Sequence, residues 1–191
     1  LKGHLGALAH GQVTTGVIKI AGIGASALAA SALVGSKATS VGGKVADLAL
    51  NTVLIAGTAN LANLLDLRPG RALKATVLVA APLSYFSCAD AKTPASPASA
   101  QRLLASGLNA AAITALVEDL QETTMLGDTG ANAAGALLGT SLAANDSWKL
   151  RLGTTLGVVG LILASEKVSF SKVIAANPAL NWLDQLWRRP L

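Results

Sequence analysis

The chain has 191 residues, of which 52% are hydrophobic and only 13% charged, and its formal net charge is +5. A soluble domain carries about 25% charged residues, so with a mean hydropathy of +0.54 this chain has too little charge to clothe a soluble helical domain of its length. Nucleic-acid binding is excluded by distribution: the basic residues stand at the ends of apolar segments, with no continuous stripe and no interleaved aromatics.

The opening residues Leu1-Lys2-Gly3-His4-Leu5 lack the basic start and long apolar middle of a signal peptide, and further sequence is expected upstream of Leu1. Six apolar segments follow, at about 13–34, 45–66, 72–90, 102–118, 129–145 and 149–165. Each has an uncharged core of roughly 14–18 residues, against about 20 for a full crossing. Flanking lysines and arginines can snorkel, so the first three read as spans; the fourth and sixth are the weakest candidates. Small residues dominate, as in Ala21-Gly22-Ile23-Gly24-Ala25 and Gly135-Ala136-Leu137-Leu138-Gly139, and such faces let helix backbones approach closely in lipid. Lys92 to Ser99 is rich in Pro, Ala and Ser and reads as an exposed linker. After Glu166 the chain turns polar, and Asn177-Pro178 opens a short segment with Trp182, Leu183, Leu186 and Trp187 at helical spacing, suited either to the membrane surface or to packing under the bundle.

The expected fold is therefore all-α. It is a polytopic membrane helical bundle over 13–166, with about six apolar segments plus a C-terminal amphipathic helix in a cytoplasmic tail over 167–191. The whole reads as a single membrane domain, the C-terminal portion of a larger one. Placing Lys2 and Lys19 on the cytoplasmic side of the cell membrane puts Arg68, Arg71, Lys74, Gly127-Asp128 and Arg188-Arg189 there too, with Lys37 and Lys44 opposite.

Chemistry-bearing residues gather in two loops on that inner face. The first carries Asn60, Asn63 and Asp66, then Leu67-Arg68-Pro69-Gly70-Arg71; the second carries Glu118, Asp119, Glu122 and Asp128. Asn63 and Asp66, three apart, share a helix face, and such a pair at a membrane boundary is costly unless it meets partners. Arg68, Arg71 and Lys74 suit a pyrophosphate or, equally, serve as orientation charges. Asp128, in Gly127-Asp128-Thr129-Gly130, is either a helix cap with Thr129 or a hard oxygen ligand for Mg2+. Glu118 and Asp119 read as helix-end residues. Cys88 reads as a small buried hydrophobe, and His4 and His10, six apart, as ordinary loop histidines.

Taken together, Ala59-Asn60-Leu61-Ala62-Asn63-Leu64-Leu65-Asp66 and Met125-Leu126-Gly127-Asp128-Thr129-Gly130 resemble the Asn-x-x-Asp and Gly-Asp-x-Gly segments of the polyprenyl-phosphate N-acetylhexosamine-1-phosphate transferases, in matching order and spacing. The resemblance implies a multi-pass enzyme that moves a sugar 1-phosphate from a UDP-sugar to polyprenyl phosphate in synthesis of a cell-envelope polymer such as peptidoglycan, releasing UMP. It implies Mg2+ on Asp128, with Asn63 and Asp66 as catalytic residues lining the nucleotide cleft and Arg68, Arg71 and Lys74 binding substrate phosphate. A homodimer or envelope-synthesis proteins are the partners it suggests. The chain departs from the family where Pro69 replaces a second acidic residue, and it contains no Asp-Asp pair. The alternative is a non-catalytic membrane protein of the same fold that binds lipid phosphate or scaffolds envelope enzymes.

Overall fold

A computed structural model describes Gly11, residues 14–86 and residues 97–188. The described residues form eight α-helices and no strand. They are α1 (Thr15–Val34), α2 (Val41–Leu65), α3 (Arg71–Phe86), α4 (Pro97–Leu120), α5 (Gly127–Ala143), α6 (Trp148–Ser165), α7 (Phe170–Ala176) and α8 (Pro178–Gln185). Each of the six apolar segments coincides with one of α1 to α6. Lys2, His4, His10, Cys88, Asp90 and residues 92–96 of the expected linker lie outside the described residues.

Polar residues between the segments start the helices. Thr14, Ser40 and Ser147 each accept a hydrogen bond from the amide three residues on, at 3.3, 3.1 and 3.3 Å. Asn177 accepts from both Ala179 and Leu180, with Pro178 in the first turn, where its missing N–H costs nothing. α4 likewise begins at Pro97, so Pro97-Ala98-Ser99 is helix and not the end of a linker. That extension makes Ala98–Leu120 long and apolar enough to cross a membrane, together with Thr15–Val34 and Val41–Leu65. The fourth segment therefore qualifies where the third, described over 16 residues, does not. The amphipathic tail resolves into two short helices, α7 and α8.

Small residues fill much of the interior, around a few large ones such as Leu54, Ile55 and Leu73, and many large apolar side chains lie outside. Ala27, Ala59, Ala80, Ala105, Ala131 and Ser141 are among the most buried positions, whereas Leu28, Leu33, Leu103, Leu156 and Leu163 face outward. A water-soluble fold would place these the other way round; an exterior of leucines suits lipid. α2 and α5 form the centre, α1 and α6 pack on α2, and α4 joins α5 to α3. A Cβ on Gly135 would lie 2.5 Å from the Thr58 carbonyl oxygen, and one on Gly139 2.7 Å from Ile55 Cα, so these two glycines bring α5 against the α2 backbone. Gly22 and Gly24, by contrast, have open space beside them. Interhelical hydrogen bonds add to the packing: Ser31 Oγ donates to Leu48 O at 2.9 Å, and Ser141 Oγ to Gln101 O at 3.0 Å.

Replacing Gly139 with leucine is expected to lower stability by about 1–3 kcal/mol or more through overpacking. Gly157→Ala, on an open face of α6, should be neutral or stabilise by up to ~1 kcal/mol from helix propensity. Thermal unfolding of the two variants in detergent measures the opposite signs.

Candidate functional site

The two motif loops meet at one end of the bundle, because α2 ends and α5 begins there. Beyond Leu65, Asp66 N–H bonds back to Ala62 and Asn63 carbonyls, and the chain reverses through Arg68-Pro69-Gly70-Arg71, where Arg71 N–H donates to Arg68 O at 3.2 Å. Proline in the second place and Gly70 at φ +72° in the third give a type II turn. Glycine is favoured at position 70 on a second count, since a Cβ there would come within 2.5 Å of Leu120 Cδ2 and the leucine would have to shift.

Asp119 ties this turn to the second loop. Buried at the end of α4, it accepts from Gly70 N–H through Oδ2 at 2.7 Å and from Leu126 N–H through Oδ1 at 3.2 Å. The helix-end reading of Asp119 is thus extended: it caps nothing on its own helix but clamps two loops. Glu118 and Glu122 stay at the exposed surface.

Asp128 does not serve as the N-cap of α5. The helix starts at Gly127, one residue before it, with Leu126 at the cap position and no side-chain capping bond. Asp128 therefore sits in the first helical turn, exposed, where a negative charge suits the helix dipole. Its carboxylate pairs with Lys19 of α1 at 2.9 Å, and the Asn63 side chain lies beside it. The bond and charge of Lys19, with a smaller contribution from Asn63, hold its pKa below the ordinary carboxylate value. Asp66 is shifted the other way. Burial and the neighbouring carboxylates of Asp119 and Asp128 push its pKa up, against the opposing effect of the nearby Gly127 backbone amide. Asn63, Asp66 and Asp128, distant in sequence, are therefore one cluster.

The three cations of the first loop divide. Arg68 is exposed beside the cluster. Arg71 is 5% exposed and makes a forked pair with Asp184 of α8, Nε to Oδ1 at 2.7 Å and Nη2 to Oδ2 at 3.1 Å, while Nη1 donates to Ser171 Oγ at 2.8 Å. Lys74 Nζ donates to the carbonyls of Leu183, Asp184 and Leu186, which end α8. Both cations hold the tail under α3. Trp182 and Trp187 remain exposed, at 66% and 72%, so the tail packs through its polar edge and leaves its indoles outside.

A groove of about 530 Å3 runs from Lys19 along α1, α2 and α5, lined by Gly22, Ile23, Ala27, Ala59 and Asn132. Lys19 was legible only as an orientation charge; the signal was that it is the sole charge inside the first apolar segment. Asp119 and Asp184 carried no local signal, since each acts on residues far along the chain.

Among the described residues no group of three or more His, Cys, Asp or Glu side chains could by itself hold a metal ion. Mg2+ asks less of a protein, taking one or two carboxylates and completing its shell with water and substrate phosphates. Asp128 and Asp66, with the Asn63 amide, are the oxygen donors this cluster would offer to such an ion, Asp128 being paired with Lys19. No protein-family model, curated protein or solved structure matches the chain.

Asp119→Ala should cost about 3 kcal/mol by stranding the Gly70 and Leu126 amides, read as earlier hydrogen exchange at those two positions. For the tail, burial opposes ionisation of Asp184, but the Arg71 hydrogen bond and charge, with Arg188 and Lys74, prevail and lower its pKa. Its contribution to docking is present above the unfolded value near 3.9 and is lost as pH falls through the lower folded value. The indole NMR signals of Trp182 and Trp187 should hold steady from pH 7 to about 4 and shift below, and Asp184→Asn should shift them already at pH 7.

Proposed function

We propose that the chain is the membrane part of a divergent phosphoglycosyl transferase, with its motif loops on the cytoplasmic side of the cell membrane. It would move a sugar 1-phosphate from a UDP-sugar to polyprenyl phosphate in envelope-polymer synthesis. The observation that supports the proposal is the meeting of the two resembling segments, which brings Asn63 beside Asp128, and Asp66 beside Gly127 and Asp128.

In this reading an oxygen of the lipid phosphate forms a bond to the β-phosphorus of the UDP-sugar, the bond from that phosphorus to the bridging oxygen breaks, and UMP leaves. Asp128 and Asp66 would hold Mg2+, which supplies charge neutralisation of the pyrophosphate when bound. Asn63, beside the Asp128 carboxylate, would help to orient it. Arg68 is the exposed member of the first-loop cations and would meet phosphate oxygens as a fork; Arg71 and Lys74, committed to the tail, would position that loop. Lys19, at the mouth of the small-residue groove, would face the lipid phosphate while the groove takes the chain.

The second reading, a non-catalytic protein that binds lipid phosphate, draws support from the Lys19–Asp128 pair, which already neutralises the proposed ligand, and from Pro69 in place of an acid. The two separate in one assay. Membranes carrying the full-length protein are expected to release UMP from a UDP-sugar on addition of polyprenyl phosphate and Mg2+, and Asp128→Asn to abolish it. Retained activity in the variant removes the metal role of Asp128; lipid binding with no UMP release by the parent protein selects the second reading.

A further inference from the structure

At the opposite end of the bundle lies a second polar site that the motif loops do not touch. A cleft of about 620 Å3 opens there between the end of α1, the start of α4, the end of α5 and the start of α6, with Leu33, Lys37, Leu104, Asn145 and Arg151 in its lining. Arg151 is 5% exposed, and a buried guanidinium in a membrane bundle is expensive unless paired. Nη1 donates to Asn51 Oδ1 at 2.8 Å and Nη2 to Asp47 Oδ1 at 3.0 Å, Asp47 and Asn51 being one turn apart on α2. The other Asp47 oxygen accepts from Ser36 Oγ at 2.7 Å. Asp47 is thus fully engaged, yet Arg151 Nε and Asn51 Nδ2 stay buried with no hydrogen-bond partner among the described residues.

Lys37 lines the same cleft from the loop after α1 and pairs with Asp146 across the rim. That pair is about half exposed on both sides, so it is weak and exchanges readily. Burial and the charge of Arg151 hold the Lys37 ammonium below its ordinary value, which records two cations facing one space. Most of the remaining wall is apolar, formed by Leu33, Val34, Leu104 and Ala144, with Ser36 and Thr140 adding hydroxyls. Two of the contributing helices, α1 and α4, are long and apolar enough to cross a membrane.

We infer that this cleft binds the anionic headgroup of a membrane lipid, a phosphate ester whose oxygens face Lys37 and Arg151 and whose chain lies along Leu33, Val34 and Leu104. A soluble anion would gain nothing from that wall, and a zwitterionic headgroup would bring its own cation towards Lys37. The site is independent of the transfer reaction proposed for the motif loops.

The test is lipid binding to the full-length protein in detergent, followed by native mass spectrometry with phosphatidylglycerol, phosphatidylcholine and inorganic phosphate as probes. One equivalent of phosphatidylglycerol should be retained, with phosphatidylcholine and inorganic phosphate at least tenfold weaker. Lys37→Glu, an exposed change that leaves Arg151 in place, should weaken phosphatidylglycerol by about tenfold or more. Ala100→Trp, at the cleft rim, should weaken it too while the helical circular dichroism is unchanged. Equal binding of phosphatidylcholine, displacement of the lipid by inorganic phosphate at comparable concentration, or undiminished binding by Lys37→Glu each overturns the inference.

Discussion

The backbone-to-backbone approach of α2 and α5 governs the geometry of everything else. Gly135 and Gly139 remove two side chains from the contact, so Thr58 and Ile55 of α2 rest directly on α5. The helices run antiparallel, and fixing their separation at that point fixes which residues meet further along. Asn63 lies five residues beyond Thr58 in one direction and Asp128 seven before Gly135 in the other, which brings them together at the common end. In the opposite direction α2 carries Asn51 and Asp47 to Arg151 of α6, which packs on α2 by a separate contact. Both polar centres are therefore built on α2, towards its two ends.

Charge is handled differently at the two surfaces of this packing. Where arginine is buried, it is met by a carboxylate and at least one neutral acceptor: Arg71 by Asp184 and Ser171, Arg151 by Asp47 and Asn51. Removing one partner from such a set costs about 3–5 kcal/mol, because the survivor stays buried and charged. Exposed pairs such as Lys19 with Asp128 have little of this rigidity and leave the charges open to a ligand. The chain thus separates cations that hold helices together from cations that remain available, and primary structure alone does not distinguish Arg68 from Arg71.

Much of the architecture was legible because it rests on local pattern. Apolar runs located all six bundle helices, and of the two small-residue stretches read as close-packing faces, Gly135-Ala136-Leu137-Leu138-Gly139 makes such a contact while Gly22 and Gly24 do not. The start of α4 was misplaced because Pro-Ala-Ser composition suits a linker and a first helical turn alike. Asp128 kept two readings open, and the helix start one residue earlier decided against the cap. Juxtapositions set by tertiary structure were not legible: Asp119 with Gly70, Lys19 with Asp128 and Arg151 with Asp47 each span long stretches of chain. Asp47 and Asn51, one turn apart inside an apolar segment, were the visible trace of the last of these.

The tail contact also orders events in time. Arg71 and its carboxylate partner are separated by 113 residues, and at ribosomal speeds of roughly 5–20 residues per second that interval lasts on the order of 6–23 s. Throughout it, two cations at the start of α3 have no protein counter-charge and must rest among headgroups or water. The bundle helices are all synthesised before the residue that closes them exists. Docking of α8 thus necessarily follows synthesis of the bundle helices, and α8 acts as a fastening added after them.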